Sequence, residues 1–283
     1  MSELILIRHG QATFGAASYD KLSSLGREQV RKLAAHWRET GETFDCLYCG
    51  SLRRQRETAE ELLDLVPEDP KSPHEDAALN EYDGDPLIRS YLRDFARDEG
   101  FDPAPEWPVR DRTMFQRLFE AAAAKWIAGH LKPADGDANF ERWPDFQLRV
   151  HQALDRIMSR HVRGSRVLIS TSGGVIALAL QRVLRYPDTE AIATNWMVQN
   201  SSITRIKYGN GRISLMQFNS LPHLDRADTQ SMITYRKDLA AENRHDRSRS
   251  RRQGGPHKVR RRTAAGAAAG LSAPRARRGR RRT

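Results

Sequence analysis

Cysteine is nearly missing from this 283-residue chain: Cys46 and Cys49 are the only two. They cannot build a disulfide framework, and a reducing compartment suits them. Long apolar runs are missing as well. The longest near the start, Leu4 to Ile7, stops at Arg8, which leaves room for neither a signal-peptide core nor a membrane-spanning helix. Cytoplasmic residence without membrane contact is therefore expected. The Cys-x-x-Cys spacing predicts no redox or zinc role, because residues three apart in a strand face opposite sides and no second pair exists. No metal and no cofactor is expected.

Negative charge is scarce in one region only. The chain carries a formal +11, but positions 238–283 hold 15 Lys+Arg against 3 Asp+Glu, so positions 1–237 hold 32 against 33 and are close to neutral. That tail, with Arg260-Arg261-Arg262, an Ala/Gly stretch and Arg280-Arg281-Arg282, has almost no large apolar residue with which to build a core and is expected to be disordered. Two readings of it stand: loose contact with nucleic acid or acidic surfaces through phosphate charge, or a solvated extension without a partner. Any nucleic-acid contact is expected of the tail alone.

Residues 1–237 alternate short apolar strands with amphipathic helices, the pattern of a three-layer α/β/α sandwich with a mostly parallel sheet. Glu3 to Ile7 predicts the first strand. A helix from about Gly26 to Arg38 follows, with Val30, Leu33, Ala34 and Trp37 on one face. A second strand is expected at Phe44 to Tyr48, and a helix from Leu52 to Val66 ended by Pro67. Residues 79–145, rich in charge, proline and aromatics, form a cap insertion with one clear helix around Thr113 to Ala128. Phe146, Val150, Leu154, Ile157 and His161 recur at helical spacing. Arg166 to Ser170 is a strand, and Gly173-Gly174 opens a helix to about Leu184. Two last strands, Ser202 to Tyr208 and Ile213 to Phe218, are joined by Gly209-Asn210-Gly211, a hairpin signal.

The loop after the first strand reads Arg8-His9-Gly10-Gln11, a cation and an imidazole at the carboxyl end of a parallel strand, where open α/β sheets bind ligands. Further on come Tyr19-Asp20-Lys21-Leu22-Ser23, Leu25-Gly26-Arg27-Glu28-Gln29, Gly50-Ser51-Leu52-Arg53-Arg54-Gln55-Arg56-Glu57-Thr58-Ala59 and Leu79-Asn80-Glu81. In this order the segments resemble the histidine phosphatase (phosphoglycerate mutase-like) superfamily. The third is similar to that family's Ser-Pro-Leu-x-Arg-Ala-x-x-Thr-Ala run, with Gly50-Ser51 in place of Ser-Pro. Asn195-Trp196, Asn200 to Arg205, Phe218-Asn219 and His223-Leu224 resemble its C-terminal strands, so the resemblance covers about residues 3–236.

The resemblance implies a metal-independent phosphohydrolase acting on a small phosphorylated substrate. His9 is the implied nucleophile, Glu81 the proton donor, and Arg8, Arg54, Ser172 and Gly173 the phosphate-binding groups. A mutase-like phosphotransferase and a weakened, non-catalytic phosphate-binding or interaction module are the alternatives. The chemistry is coherent by itself: a phosphoryl group in flight spreads charge over three oxygens, forked guanidinium groups clamp those oxygens, and a neutral imidazole attacks in line. Near Glu81, Asp83 and Asp85 are competing acids.

One departure stands out. The strand end reads Leu168-Ile169-Ser170-Thr171-Ser172-Gly173-Gly174 where the family usually has Ser-His-Gly-Gly, so Ser172 occupies the place of a second histidine. In this the chain resembles a bacterial branch with Thr-Ser-Gly-Gly here and Gln after Arg-His-Gly. Ser172 is expected to cap the next helix, whose free N–H groups at Gly173 and Gly174 face an anion. His223 is read as a loop residue at the end of the last strand, with substitution for the missing histidine as the alternative. Arg89 and Arg149 are candidates to reach substrate from the cap, though ordinary surface arginines look the same. His36, His130 and His151 are expected at the surface.

Overall fold

The structure is a computed structural model; it describes residues 1–13, 20–67, 72–109, 111–134 and 136–235. The basic tail at 238–283 lies outside the described residues.

Six strands form one sheet in the order β3-β2-β4-β1-β5-β6: β1 (Ser2–Arg8), β2 (Cys46–Cys49), β3 (His74–Glu75), β4 (Arg166–Thr171), β5 (Ile203–Gly209) and β6 (Arg212–Ser220). β3, β2, β4 and β1 run parallel, and β5 and β6 are antiparallel additions. Alternation along each strand divides the core in two. Leu4, Leu6, Cys46, Tyr48, Val167 and Ile169 face one side, whereas Ile5, Ile7, Leu47, Cys49 and Leu168 face the other. The two cysteines thus sit in opposite layers, both free, as three-residue spacing in a strand requires.

Against the second side lies α1 (Ser24–Glu39), with Val30, Leu33, Ala34 and Trp37 inward as their spacing predicts. Ser23 caps it, accepting from the Gly26 N–H at 3.0 Å. α2 (Arg53–Glu60) is shorter than the expected Leu52 to Val66. A 3₁₀ turn at Leu63–Leu65 replaces its end. This turn buries Leu62 and Leu65 and lets the Leu65 carbonyl accept from Phe44 N–H at 3.2 Å. Val66, extended at φ −121° and ψ 129°, obeys the steric bias of a residue before proline.

The first side is covered by α3 (Gly84–Asp94), α4 (Arg112–Ile127), α5 (Trp143–Arg160), α6 (Gly173–Leu184) and α7 (Asp188–Met197). Two of these depart from expectation. The cap holds α3 as well as α4, and α3 carries a local signal in Asp83, whose carboxylate accepts from Asp85 N–H at 3.0 Å. Asn195 and Trp196, which the family resemblance assigned to a strand, lie on α7. The β5–β6 hairpin turns through Asn210 and Gly211 at φ 53° and 70°, the positive pair of a type I′ turn. Among the described residues no helix is long and apolar enough to cross a membrane.

Register positions the functional end. Arg8 lies opposite Thr171 and Cys49 opposite Ser170, so the residues just past these strands, His9, Ser172 and Gly50, emerge together on the carboxyl edge of the parallel strands.

Candidate active site

His9 is buried, 6% exposed, and anchored by its own N–H to the Thr171 carbonyl at 2.9 Å. Its Nδ1 lies 2.7 Å from the Gly10 carbonyl. A carbonyl only accepts, so Nδ1 carries the hydrogen and Nε2 keeps its lone pair. That lone pair accepts from Arg54 Nε at 3.2 Å. Burial above all, then the Arg54 and Arg8 cations, hold the imidazole well below its ordinary pKa. At neutral pH it is an uncharged imidazole whose Nε2 lone pair lies against a cation.

Arg54, in the first turn of α2, also donates Nη1 to Asp20 Oδ1 at 2.6 Å, while the other Asp20 oxygen accepts from Arg53 N–H at 2.8 Å. Asp20 therefore aims the fork. Sequence reasoning placed it inside a matching stretch and assigned it no role. Arg8, the last residue of β1, donates Nη1 to the carbonyl of Val198 at the end of α7, and it stays near enough to His9 to depress its pKa.

Glu81 arrives from the cap. Its Oε2 accepts from the Gly174 N–H at 3.1 Å, which ties the acid to the N-terminus of α6. A Cβ on Gly174 would stand 2.2 Å from Oε1, so this close approach needs glycine. Oε1 itself is buried without a hydrogen-bond partner among the described residues. Of the competing acids, Asp83 caps α3 by accepting from Asp85 N–H, and Asp85 lies in that helix's first turn.

Residues 4–91 and 105–221 match the profile of the histidine phosphatase superfamily, branch 1. The chain belongs to this superfamily. Solved structures of the same fold include a phosphoserine phosphatase from Entamoeba histolytica in complex with 3-phosphoglyceric acid, 20% identical over 79% of this chain and 100% of that one, with a TM-score of 0.55. A mycobacterial glucosyl-3-phosphoglycerate phosphatase with inorganic phosphate is 20% identical over 78% and 98%, TM-score 0.53. A phosphoglycerate mutase from Bacillus anthracis is 18% identical over 78% and 94%, TM-score 0.53. No curated protein matches the sequence. Membership and fold support phosphoester hydrolysis or transfer as the general chemistry.

Within this histidine phosphatase site Ser172 behaves differently from expectation. It sits at the N-cap position of α6 with extended backbone, yet its side chain makes no capping bond. Its oxygen instead accepts from Gln55 Nε2 at 2.9 Å, and the fully buried amide turns the hydroxyl away from the helix. Gly173 is buried beside it in the first turn of α6.

His223 is buried too, but on the α1 side, where its Nε2 meets Ser201 Oγ at 2.9 Å and it lines a hollow with Lys32 and His36. Neither Ser172 nor Arg54 is among its partners, so the geometry gives no support to its replacing an imidazole at Ser172. Arg149 is not aimed at substrate. It clamps Glu141 through Nε and Nη2 at 2.6 and 2.9 Å and donates Nη1 to the Ala78 and Asn80 carbonyls at 3.0 and 2.9 Å, fixing the backbone that leads to Glu81. Arg89 pairs with Asp137 inside the cap. His130 is exposed as expected, and His36 is partly so. His151 is half-buried instead, its Nε2 3.3 Å from the Leu178 carbonyl, because α5 packs on α6.

Burial, with a smaller contribution from His36, lowers the His223 pKa to about 3. Its folded value lies below the unfolded one of about 6.5, so the stability it contributes is complete above about pH 6.5 and is lost as pH falls toward 3. Between pH 7 and 4 this loss is on the order of 2–3 kcal/mol, at ~1.4 kcal/mol per pH unit. Thermal midpoints measured across that range should fall, and His223→Gln, which keeps a polar group toward Ser201 but does not titrate, should flatten the slope. An equal slope in both proteins would show that His223 is not what makes the fold acid-sensitive.

Proposed function

We propose that the protein is a phosphohydrolase that removes phosphate from a small phosphate ester through a phosphohistidine on His9. The observation that carries this reading is His9 itself, buried, uncharged, held at Nδ1 by its own loop, with Nε2 presented to the Arg54 guanidinium.

An arriving phosphoryl group takes Arg54 from Nε2, since an anion outcompetes a neutral lone pair for a guanidinium. This frees the nucleophile at the moment it is needed. Nε2 forms the P–N bond, the P–O bond to the alcohol breaks, and Glu81 hands a proton to the departing alkoxide through Oε1. Arg8, Arg54, the Ser172 hydroxyl and the Gly173 N–H receive the charge spread over the phosphoryl oxygens. Water then attacks phosphorus as Glu81 takes its proton, the P–N bond breaks, and His9 returns to its Nδ1–H form. A mutase-like transfer differs only in the second step, where a substrate hydroxyl replaces water.

The test is turnover of a panel of phosphate esters by the full-length protein without added metal, with acid-labile phosphate on His9 sought after rapid quench. Turnover with release of inorganic phosphate and a labelled His9 is expected. Neither turnover nor phosphohistidine on any ester would overturn the reading in favour of a binding module.

A further inference from the structure

Gln55 lies one residue past the Arg54 clamp and is fully buried. Its Nε2 donates to two oxygens, the Leu79 carbonyl at 3.1 Å and Ser172 Oγ at 2.9 Å. Because a carbonyl cannot donate, the amide atom that faces Leu79 is the nitrogen, and the atom facing Ser172 is therefore a donor too. Ser172 must accept. A hydroxyl has one hydrogen and two lone pairs; the amide fills one lone pair, the helix N–H groups of α6 take neither, and the hydroxyl's one side-chain bond among the described residues is the one it accepts from Gln55, which leaves its hydrogen without an acceptor there. Ser172 directly follows Thr171, which pairs with Arg8, so the hydroxyl is buried at the same strand end as His9.

The position of Gln55 is itself over-determined. Its backbone carbonyl accepts from Ser170 Oγ at 2.8 Å, and its Oε1, buried without a partner among the described residues, lies against Gly50. A Cβ there would be 1.9 Å from Oε1. Of three departures from the family pattern that the sequence resembles, Gly for Ser at 50, Gln for Ala at 55 and Ser for His at 172, the middle one thus touches both of the others. The extra amide fills room that the smaller residues at 50 and 172 leave open.

We propose that Gln55 is a positioning residue for the phosphate site: its amide fixes the Ser172 hydroxyl as a hydrogen-bond donor to a phosphoryl oxygen. The proposal rests on the reading of this edge as a phosphate site, but not on turnover. Its test is therefore the binding of inorganic phosphate by the full-length protein, measured by calorimetry for the wild type, Ser172→Ala, Gln55→Met and the double variant, with thermal melting of each.

If Gln55 acts through Ser172, each single variant should lose roughly ten-fold in affinity, and the double variant should be no worse than either. Multiplying losses would overturn the proposal, as would wild-type affinity in Gln55→Met or Ser172→Ala. Should Gln55→Met fold poorly, Gln55→Glu keeps the shape and turns the group facing Ser172 into an acceptor, which should draw the hydroxyl hydrogen inward and weaken phosphate more than tenfold. Retained affinity in that variant also overturns the proposal. No phosphate binding by the wild type overturns it outright, whereas phosphate binding with non-additive losses but no turnover leaves it standing and sinks the hydrolase reading alone.

Discussion

His9→Ala is expected to abolish turnover, by roughly 10⁴-fold or more, while the protein stays folded. The variant loses an uncharged ring nitrogen that carries a lone pair, and the side chains bonded around it do not replace Nε2: Arg54 is a cation, and Ser172 is buried as an acceptor from Gln55. The structural loss is small by comparison. One Nδ1–H bond to the Gly10 carbonyl disappears, worth on the order of 1 kcal/mol, and an imidazole kept uncharged by burial is removed. Specificity constants on any ester the wild type accepts, set beside thermal midpoints, separate these effects. Hydrolysis at the wild-type rate by a purified, folded His9→Ala protein would show that the nucleophile is elsewhere.

Arg54→Ala should be the second most damaging change, costing on the order of a hundred-fold or beyond in kcat/KM. The guanidinium donates to His9 Nε2 at 3.2 Å and pairs with Asp20 at 2.6 Å, and in the proposed reaction it leaves Nε2 to clamp the phosphoryl group. Ser172→Ala removes a neutral donor only and leaves Gln55 Nε2 still bonded to the Leu79 carbonyl at 3.1 Å. Its expected cost is roughly ten- to thirty-fold, or about 1–2 kcal/mol. Measured on one substrate, the order of the two variants is the prediction. A Ser172→Ala loss exceeding that of Arg54→Ala would assign the hydroxyl a direct chemical part that a neutral donor does not have.

Asp20 follows from the same geometry. Its carboxylate holds Arg54 and the first N–H of α2 together, so the clamp is aimed before substrate arrives. In the proposed reaction the Asp20 carboxylate, bonded to Arg54 Nη1, would compete with phosphate for the guanidinium.

Local features were legible in the amino-acid sequence because their causes are local. Period-two alternation in Leu4 to Ile7 and Val167 to Ile169 set which residues enter each layer, Val30, Leu33 and Trp37 set the inner face of α1, and Asn210-Gly211 made the hairpin. Arg8-His9-Gly10 straight after a strand singled out the edge on which the candidate residues do gather, and the ordered run of matching segments identified the superfamily. Where a local rule met a tertiary demand, the tertiary demand won. The α2 helix gave way at Glu61 so that Leu65 could bond Phe44, and Ser172, well suited to capping α6, turned to Gln55 instead.

The sequence by itself determined the layered α/β architecture, the parallel strand end that carries His9, and the residue types able to handle a phosphoryl group, since each depends on neighbours within a few positions. Only the tertiary structure decided how those groups are set: the Nδ1–H form of His9, the Arg54 fork divided between His9 and Asp20, Glu81 tied to Gly174, His223 turned to Ser201 away from the site, and Gln55 bonded to Ser172 across a separation of 117 residues. Hydrogen bonds between side chains that distant leave no periodic trace in the chain. They exist because the parallel strands β1, β2 and β4 end in register, which gathers remote residues on one edge and buries them until every polar group must find a partner or await a ligand.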